Sequence, residues 1–217
     1  MMNLINTETT DGSAGSRPYP PGRTKIVEAL KILLAEKEFS AITVSEIART
    51  AGVTEALIYK YFEDKRDLLH QVLAEYLDTF LTRAEHDLNG VNGALPKLRK
   101  LIWYHINMYD TNRVFARILL LEVRNVPDYF DSDAYRIVKR YSKIVSDIVE
   151  EGRAHGEIRN DISPKVMRQV ILGAIEHLCL PGVIFGRPIR QDELSEELFE
   201  FLVTGITPRV NRKTDKR

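Results

Sequence analysis

Seven side chains within residues 43–65 carry the chemistry that most needs explaining in this sequence. Thr43 and Thr54 offer hydroxyls, Tyr59 a phenol, Lys60 and Lys65 ammonium groups, Glu55 a carboxylate and Leu57 an apolar surface. Nothing in the segment looks like a catalytic loop. Thr54, Glu55, Leu57, Tyr59, Lys60 and Tyr61 are left to be shared between solvent, DNA and the flanking helices. A carboxylate can accept from a cytosine amino group or face solvent, and a leucine can touch a thymine methyl group.

Such contacts work only if two short elements hold them at a fixed angle. Thr43 to Thr50 reads as a short helix with Val44, Ile47 and Ala48 on its inner face, and Ala51-Gly52-Val53 breaks it. A further helix runs from about Thr54 to Phe62. Ala48 is small where the two helices cross, Gly52 permits a positive φ, and Val53 and Ile58 plug the second helix against its neighbours. Two helices joined by a three-residue turn with a central glycine form a helix-turn-helix, whose second helix lies in the DNA major groove.

The flanking chain is helical throughout. Residues 1–22, with "RPYPPGR", read as a disordered arm carrying Arg17, and Thr24 reads as the N-cap of a first helix that ends near Glu38. Arg23, beside the arm, reads as solvated or as a minor-groove contact. Asp64 starts a long helix that closes at "NGVNG", residues 89–93. Candidate helices follow at 94–109, 112–125, 132–154, 164–179 and 191–206, with Ser163-Pro164 as a strong helix start. The expected fold is all-α, about nine helices.

Composition bounds the function without choosing it. The chain has 217 residues, and its 31 Lys+Arg balance 31 Asp+Glu. Residues 17–66 hold nine bases against seven acids, so DNA binding must rest on local placement. No apolar run is expected to span a bilayer, the first residues lack the features of a signal peptide, and Cys179 stands alone as a packed thiol, which together favour the cytoplasm. His70, His86, His105, His155 and His177 show no metal-site spacing, and no P-loop, dinucleotide glycine motif, HExxH or Gly-x-Ser-x-Gly occurs, so neither metal nor cofactor is expected.

The run Thr43-x-x-x-Ile47-Ala48-x-x-Ala51-Gly52-Val53-Thr54-x-x-x-Ile58-Tyr59-x-Tyr61-Phe62-x-x-Lys65-x-x-Leu68 resembles the TetR family of bacterial transcriptional regulators. Ile26, Ala29 and Phe39 also fall at that family's apolar positions, and the match covers roughly residues 24–70. Ala56 and Leu57 depart from the family's usual glycine and small polar residue.

The resemblance implies a helix-turn-helix DNA-binding domain at 23–69, a ligand-binding and dimerisation domain at 70–208, and a basic tail at 209–217. It implies DNA contacts at Thr43, Thr54, Glu55, Leu57, Tyr59, Lys60 and Lys65. The partners implied are double-stranded operator DNA, a second copy of the chain as homodimer, and a small hydrophobic effector. Trp103, Tyr104, Met108, Phe115 and Tyr141, with Tyr109, could line the effector pocket or fill a core. Ala174, Ile175 and Leu178 would meet Leu194, Leu198, Phe201 and Leu202 across the dimer. The alternative is a helical small-molecule binding protein or enzyme in which the helix-turn-helix is only structural.

Overall fold

The computed structural model describes residues 19–207, so residues 1–18 and the basic tail lie outside the described residues. Among these the chain forms nine α-helices and no strands. They are α1 (Pro21–Glu36), α2 (Val44–Ala51), α3 (Glu55–Tyr61), α4 (Lys65–Leu88), α5 (Ala94–Thr111), α6 (Arg113–Arg117), α7 (Asp133–Ala154), α8 (Pro164–Phe185) and α9 (Gln191–Ile206).

The first helix starts earlier than Thr24, at Pro21, with Pro20 at its N-cap. Proline at the first helical position forfeits only an N–H that the helix could not use, so "PPG" begins the helix instead of preventing it. The arm therefore ends before residue 22. Ile26, Leu30, Ile47, Ile58, Phe62 and Leu68, each at most 1% exposed, close a small core between α1, α2, α3 and the start of α4. Arg23 belongs to this unit and is not solvated. Its guanidinium is buried, donating to Gln71 Oε1 (3.0 Å) and Glu75 Oε1 (2.6 Å) and tying α1 to α4.

In the larger half, α4 packs along α7, and α5 lies against α7, α8 and α9. The crossing of α5 and α7 depends on Gly152, where an added Cβ would lie 2.8 Å from Ala94 Cβ and 2.6 Å from Ile158 Cδ1. Alanine at that site gains about 1 kcal/mol of helix propensity but overpacks a joint worth about 1–3 kcal/mol. Because Ala94 Cβ is fixed to the backbone of α5, overpacking wins. Gly152→Ala is expected to lower the thermal midpoint by roughly 2–6 °C, read by circular dichroism; an unchanged or raised midpoint would show that the joint yields.

Two other elements differ from the sequence expectation. The helix expected over 112–125 breaks into α6, a π-helical turn at Ile118–Glu122 and a 3-10 turn at Val123–Asn125, with a second 3-10 turn at Pro127–Asp131. The π turn is closed by Val123 N–H donating to Ile118 O, a step of five residues. Helix α8 runs past residue 179, through Pro181, to Phe185. Gly182 lets Ile189 pack where a Cβ would sit 2.4 Å from Ile189 Cγ1, and Arg113 donates to Gly182 O (2.9 Å) and Arg187 O (2.6 Å), holding that end together. Pro164–Phe185 is long and apolar enough to cross a membrane by length and composition alone, although Lys165, Arg168 and Glu176 interrupt its apolar sequence.

Candidate DNA-binding surface and ligand cavity

Thr43 caps α2 through a reciprocal box. Its Oγ1 accepts from Glu46 N (3.2 Å), and Glu46 Oε2 accepts from Thr43 N (3.1 Å). The Thr-x-x-Glu spacing at 43–46 is the sequence signature of this cap. Lys37 Nζ donates to Glu46 Oε1 at 2.7 Å, and chiefly for that reason the Glu46 carboxyl is pulled down to about 2. Helix α2 ends on Gly52 at φ 64°, ψ 39°, a left-handed cap that only glycine adopts without strain. Thr54 then caps α3, its Oγ1 accepting from Leu57 N at 3.3 Å.

Helix α3 is seven residues long and anchored by Ile58. Glu55, Tyr59 and Lys60 stand exposed on it, as do the two cap residues Thr43 and Thr54. Two members of the expected contact set are placed otherwise. Leu57 is half-buried, and its Cδ2 comes within 3.0 Å of where a Cβ on Gly22 would lie, so it seats α3 on the start of α1. The rest of its side chain remains accessible. Lys65 turns back to donate to Ile42 O (2.6 Å) and Phe39 O (3.0 Å), with its ammonium 4.4 Å from the Phe39 ring centroid. Burial holds its pKa below the usual lysine value. Lys65 is therefore a tie between α4 and the segment that leads into α2.

The same α4 forms one wall of a partly open cavity of about 70 Å³ in the larger half. Leu77, Phe80 and Leu81 of α4 face His105, Met108 and Tyr109 of α5, Ile137, Val138 and Tyr141 of α7, and Leu172 and Glu176 of α8. Ser142, Leu119 and Arg124 complete the lining, and the five-residue separation of Leu119 and Arg124 matches the π turn between them. Arg124 makes a bidentate pair with Glu176, at 2.8 and 2.7 Å. His105 is packed among the rings of Phe80, Tyr109 and Tyr141, and burial pushes its pKa down to about 4. Burial pushes both the Tyr109 and Tyr141 phenols up.

Of the six residues named as lining a pocket or filling a core, Met108, Tyr109 and Tyr141 line the cavity. Trp103 does not. It lies on the opposite face of α5, where its Nε1–H donates to Asp192 Oδ1 of α9 at 2.8 Å. Tyr104 stacks on Phe80 at 4.9 Å and Phe115 on Tyr76 at 4.2 Å, so both are filled core beside the cavity. The sequence reading missed His105, Arg124 and Glu176 as lining residues. His105 and Tyr109, four apart on an apolar helix, were the available signal.

The expected dimer residues also divide. Ile175, Leu198 and Leu202 are buried within the subunit's own core and leave no surface for a partner. Leu178 and Phe201 are exposed, Phe201 by 77%. Val166, Val170, Ile184 and Phe185 join them as exposed apolar side chains on α8. Ala174 and Leu194 are partly buried. Among the described residues no cluster of three His, Cys, Asp or Glu side chains could hold a metal ion.

Comparison with known proteins places this geometry. Residues 26–72 match "Bacterial regulatory proteins, tetR family", and residues 73–205 match "YsiA-like protein, C-terminal region". The chain is 30% identical to the fatty acid metabolism regulator protein of Bacillus subtilis (strain 168), over 86% of this chain and 96% of that one. It is 24% identical to the HTH-type transcriptional repressor KstR2 of Mycolicibacterium smegmatis, over 85% of this chain and 90% of that one. Among solved structures, the transcriptional regulator FadR from Bacillus subtilis in complex with stearoyl-CoA superposes with a TM-score of 0.77 at 30% identity, covering 84% of this chain and 98% of that one.

Proposed function

The chain belongs to the TetR family of bacterial transcriptional regulators, and from that premise we propose that it is a cytoplasmic homodimeric repressor released from its operator by a long-chain acyl thioester. The observation that carries this reading is the continuity of α4. One unbroken helix, Lys65–Leu88, begins at the Lys65 tie to Phe39 and Ile42 and ends as a wall of the cavity through Leu77, Phe80 and Leu81.

The mechanism is geometric. A drug-sized or larger apolar ligand needs roughly 300 Å³ or more, several times the cavity's 70 Å³. An acyl chain must therefore spread α4 from α5, α7 and α8 as it enters. Since α4 carries Lys65, the shift is delivered to the segment that leads into α2 and α3. Two α3 helices reading one operator must stay about 34–36 Å apart, one DNA turn. The effector lowers DNA affinity because it binds the spread state more tightly than the DNA-competent one.

The effector class comes from the stearoyl-CoA complex of the 30%-identical relative and from the apolar lining of the cavity. The dimer would be a four-helix bundle of α8 and α9 with their copies. The exposed stripe of Val166, Val170, Leu178 and Ile184 on α8, with Phe201 on α9, supports it, because an apolar face of that extent is costly to leave in water. The span-length apolarity of α8 is accounted for in the same way, with one face in the subunit core and the other against the partner. Tyr59, Lys60, Glu55 and the two threonine caps would contact DNA.

Fluorescence anisotropy with labelled duplex from upstream of its own gene tests this directly. Competitor-resistant binding by two subunits per site is expected, with the apparent Kd raised at least about tenfold by stearoyl-CoA. Lys65→Met should retain the fold but shrink that response, since the tie between α4 and α2 is cut. Binding insensitive to stearoyl-CoA in the parent protein would sink the acyl-effector reading.

A further inference from the structure

The cavity is apolar in area but not in its deepest groups. His105, Tyr109 and Tyr141 line it at 5%, 0% and 8% exposure. Among the described residues, no partner lies within hydrogen-bond reach of His105 Nδ1, Tyr109 Oη or Tyr141 Oη. The rings form one cluster: His105 lies 4.9 Å from Tyr109 and 5.1 Å from Tyr141 between centroids. Three unsatisfied polar atoms in one buried cluster are costly, because each forfeits its hydration without a replacement bond. A pocket meant only for a saturated hydrocarbon would carry phenylalanine and leucine at these positions.

We propose that the trio is a recognition site for an uncharged oxygen on the effector, a carbonyl or a hydroxyl held within an otherwise apolar body. Two phenol O–H groups can donate to one carbonyl oxygen, and a neutral imidazole can donate or accept beside them. Charge selects against a carboxylate. Among the described residues the only guanidinium lining the cavity, Arg124, is already held by Glu176 in a bidentate pair, so a ligand carboxylate would face Glu176 without a cation of its own. The inference rests on the acyl-effector reading and adds to it. The oxygen could be the thioester carbonyl itself or a substituent along the chain, and the chemistry at the trio is the same for both.

The test measures Kd by titration calorimetry for three probes: stearoyl-CoA, its thioether analogue S-octadecyl-CoA, which lacks the carbonyl, and 12-hydroxystearoyl-CoA. Each is titrated into the full chain and into Tyr109→Phe, Tyr141→Phe and the double variant. The parent is expected to bind at least one oxygen-bearing probe about tenfold or more tighter than its counterpart without that oxygen. The double variant is expected to lose that preference while holding S-octadecyl-CoA within about twofold. A gap between stearoyl-CoA and the thioether assigns the carbonyl; a gap only with the hydroxylated chain assigns a chain oxygen.

Because the phenols are unpartnered, the phenylalanine variants should melt no lower than the parent. A lower melting temperature with unchanged probe preference would mean that the hydroxyls serve the fold, which overturns the proposal. Equal affinity of the parent for all three probes overturns it as well, and leaves the acyl-effector reading standing. Failure of every probe to bind overturns both.

Discussion

Tyr59→Ala combined with Lys60→Ala is expected to weaken operator binding about 10³-fold or more while leaving the thermal midpoint within a degree or two of the parent. Deleting a side chain that meets a base edge or phosphate costs about 1–3 kcal/mol, and in a dimer each deletion acts at both half-sites. Two deletions at two half-sites, at the low end of that range, amount to roughly 4 kcal/mol, about 10³ in Kd. The fold has no stake in either side chain. Both are exposed, and α3 is anchored instead by Ile58, which is 1% exposed. Lys60 does favour the C-terminal end of α3, but that interaction is worth only a few tenths of a kcal/mol at an exposed site.

Salt dependence separates the two residues. Loss of Lys60 should flatten the plot of log K against log salt by about 2, one phosphate per half-site. Loss of Tyr59 alone should lower affinity at every salt concentration without changing that slope. If the double variant still binds its operator within about threefold of the parent, α3 is not the recognition helix and the helix-turn-helix is only structural.

What the sequence made legible follows from how far apart the cooperating residues lie. The helix-turn-helix is local. Thr43, Gly52 and Thr54 fix the ends of α2 and α3 through bonds to residues no more than four positions away, so their spacing alone identifies them. Lys65 is different. Its partners Phe39 and Ile42 are 26 and 23 residues away, and nothing in the local pattern separates a lysine that meets phosphate from one that ties helices together.

The residues expected at a dimer face divide for another reason. Helix α8 is apolar on two sides, so periodicity identifies the stripes but cannot say that Ile175 points inward and Leu178 outward. The cavity was the least legible feature. Its polar pair joins Arg124 and Glu176 across 52 residues, and Arg124 follows a π turn where its sequence suggests a regular helix.

Acid should destabilise this protein earlier than its carboxylates require, and His105 is the cause. Burial, the largest influence, holds its pKa at about 4 in the fold against the usual 6.5; Glu176 opposes the shift and Arg124 adds to it. A histidine with a depressed folded pKa contributes stability that is complete above 6.5 and is lost as pH falls through 4, because the unfolded chain takes the proton first. The difference is worth about 3 kcal/mol, and the side chain is only 5% exposed, so solvent screens little of it. Urea unfolding between pH 7 and pH 4.5 should register most of that loss. Glu46, its carboxyl held near 2, begins to lose its contribution only below about 4.5, so the two windows separate. His70, also lowered chiefly by burial, adds a loss of the same sign. His105→Phe keeps a ring among Phe80, Tyr109 and Tyr141 and removes the titration, so its stability should fall much less over the same interval. An identical pH profile in the variant would mean that the imidazole gains water or a partner on protonation. The cavity would then be wetter than its lining implies, and the neutral character on which the proposed recognition depends would be lost with it.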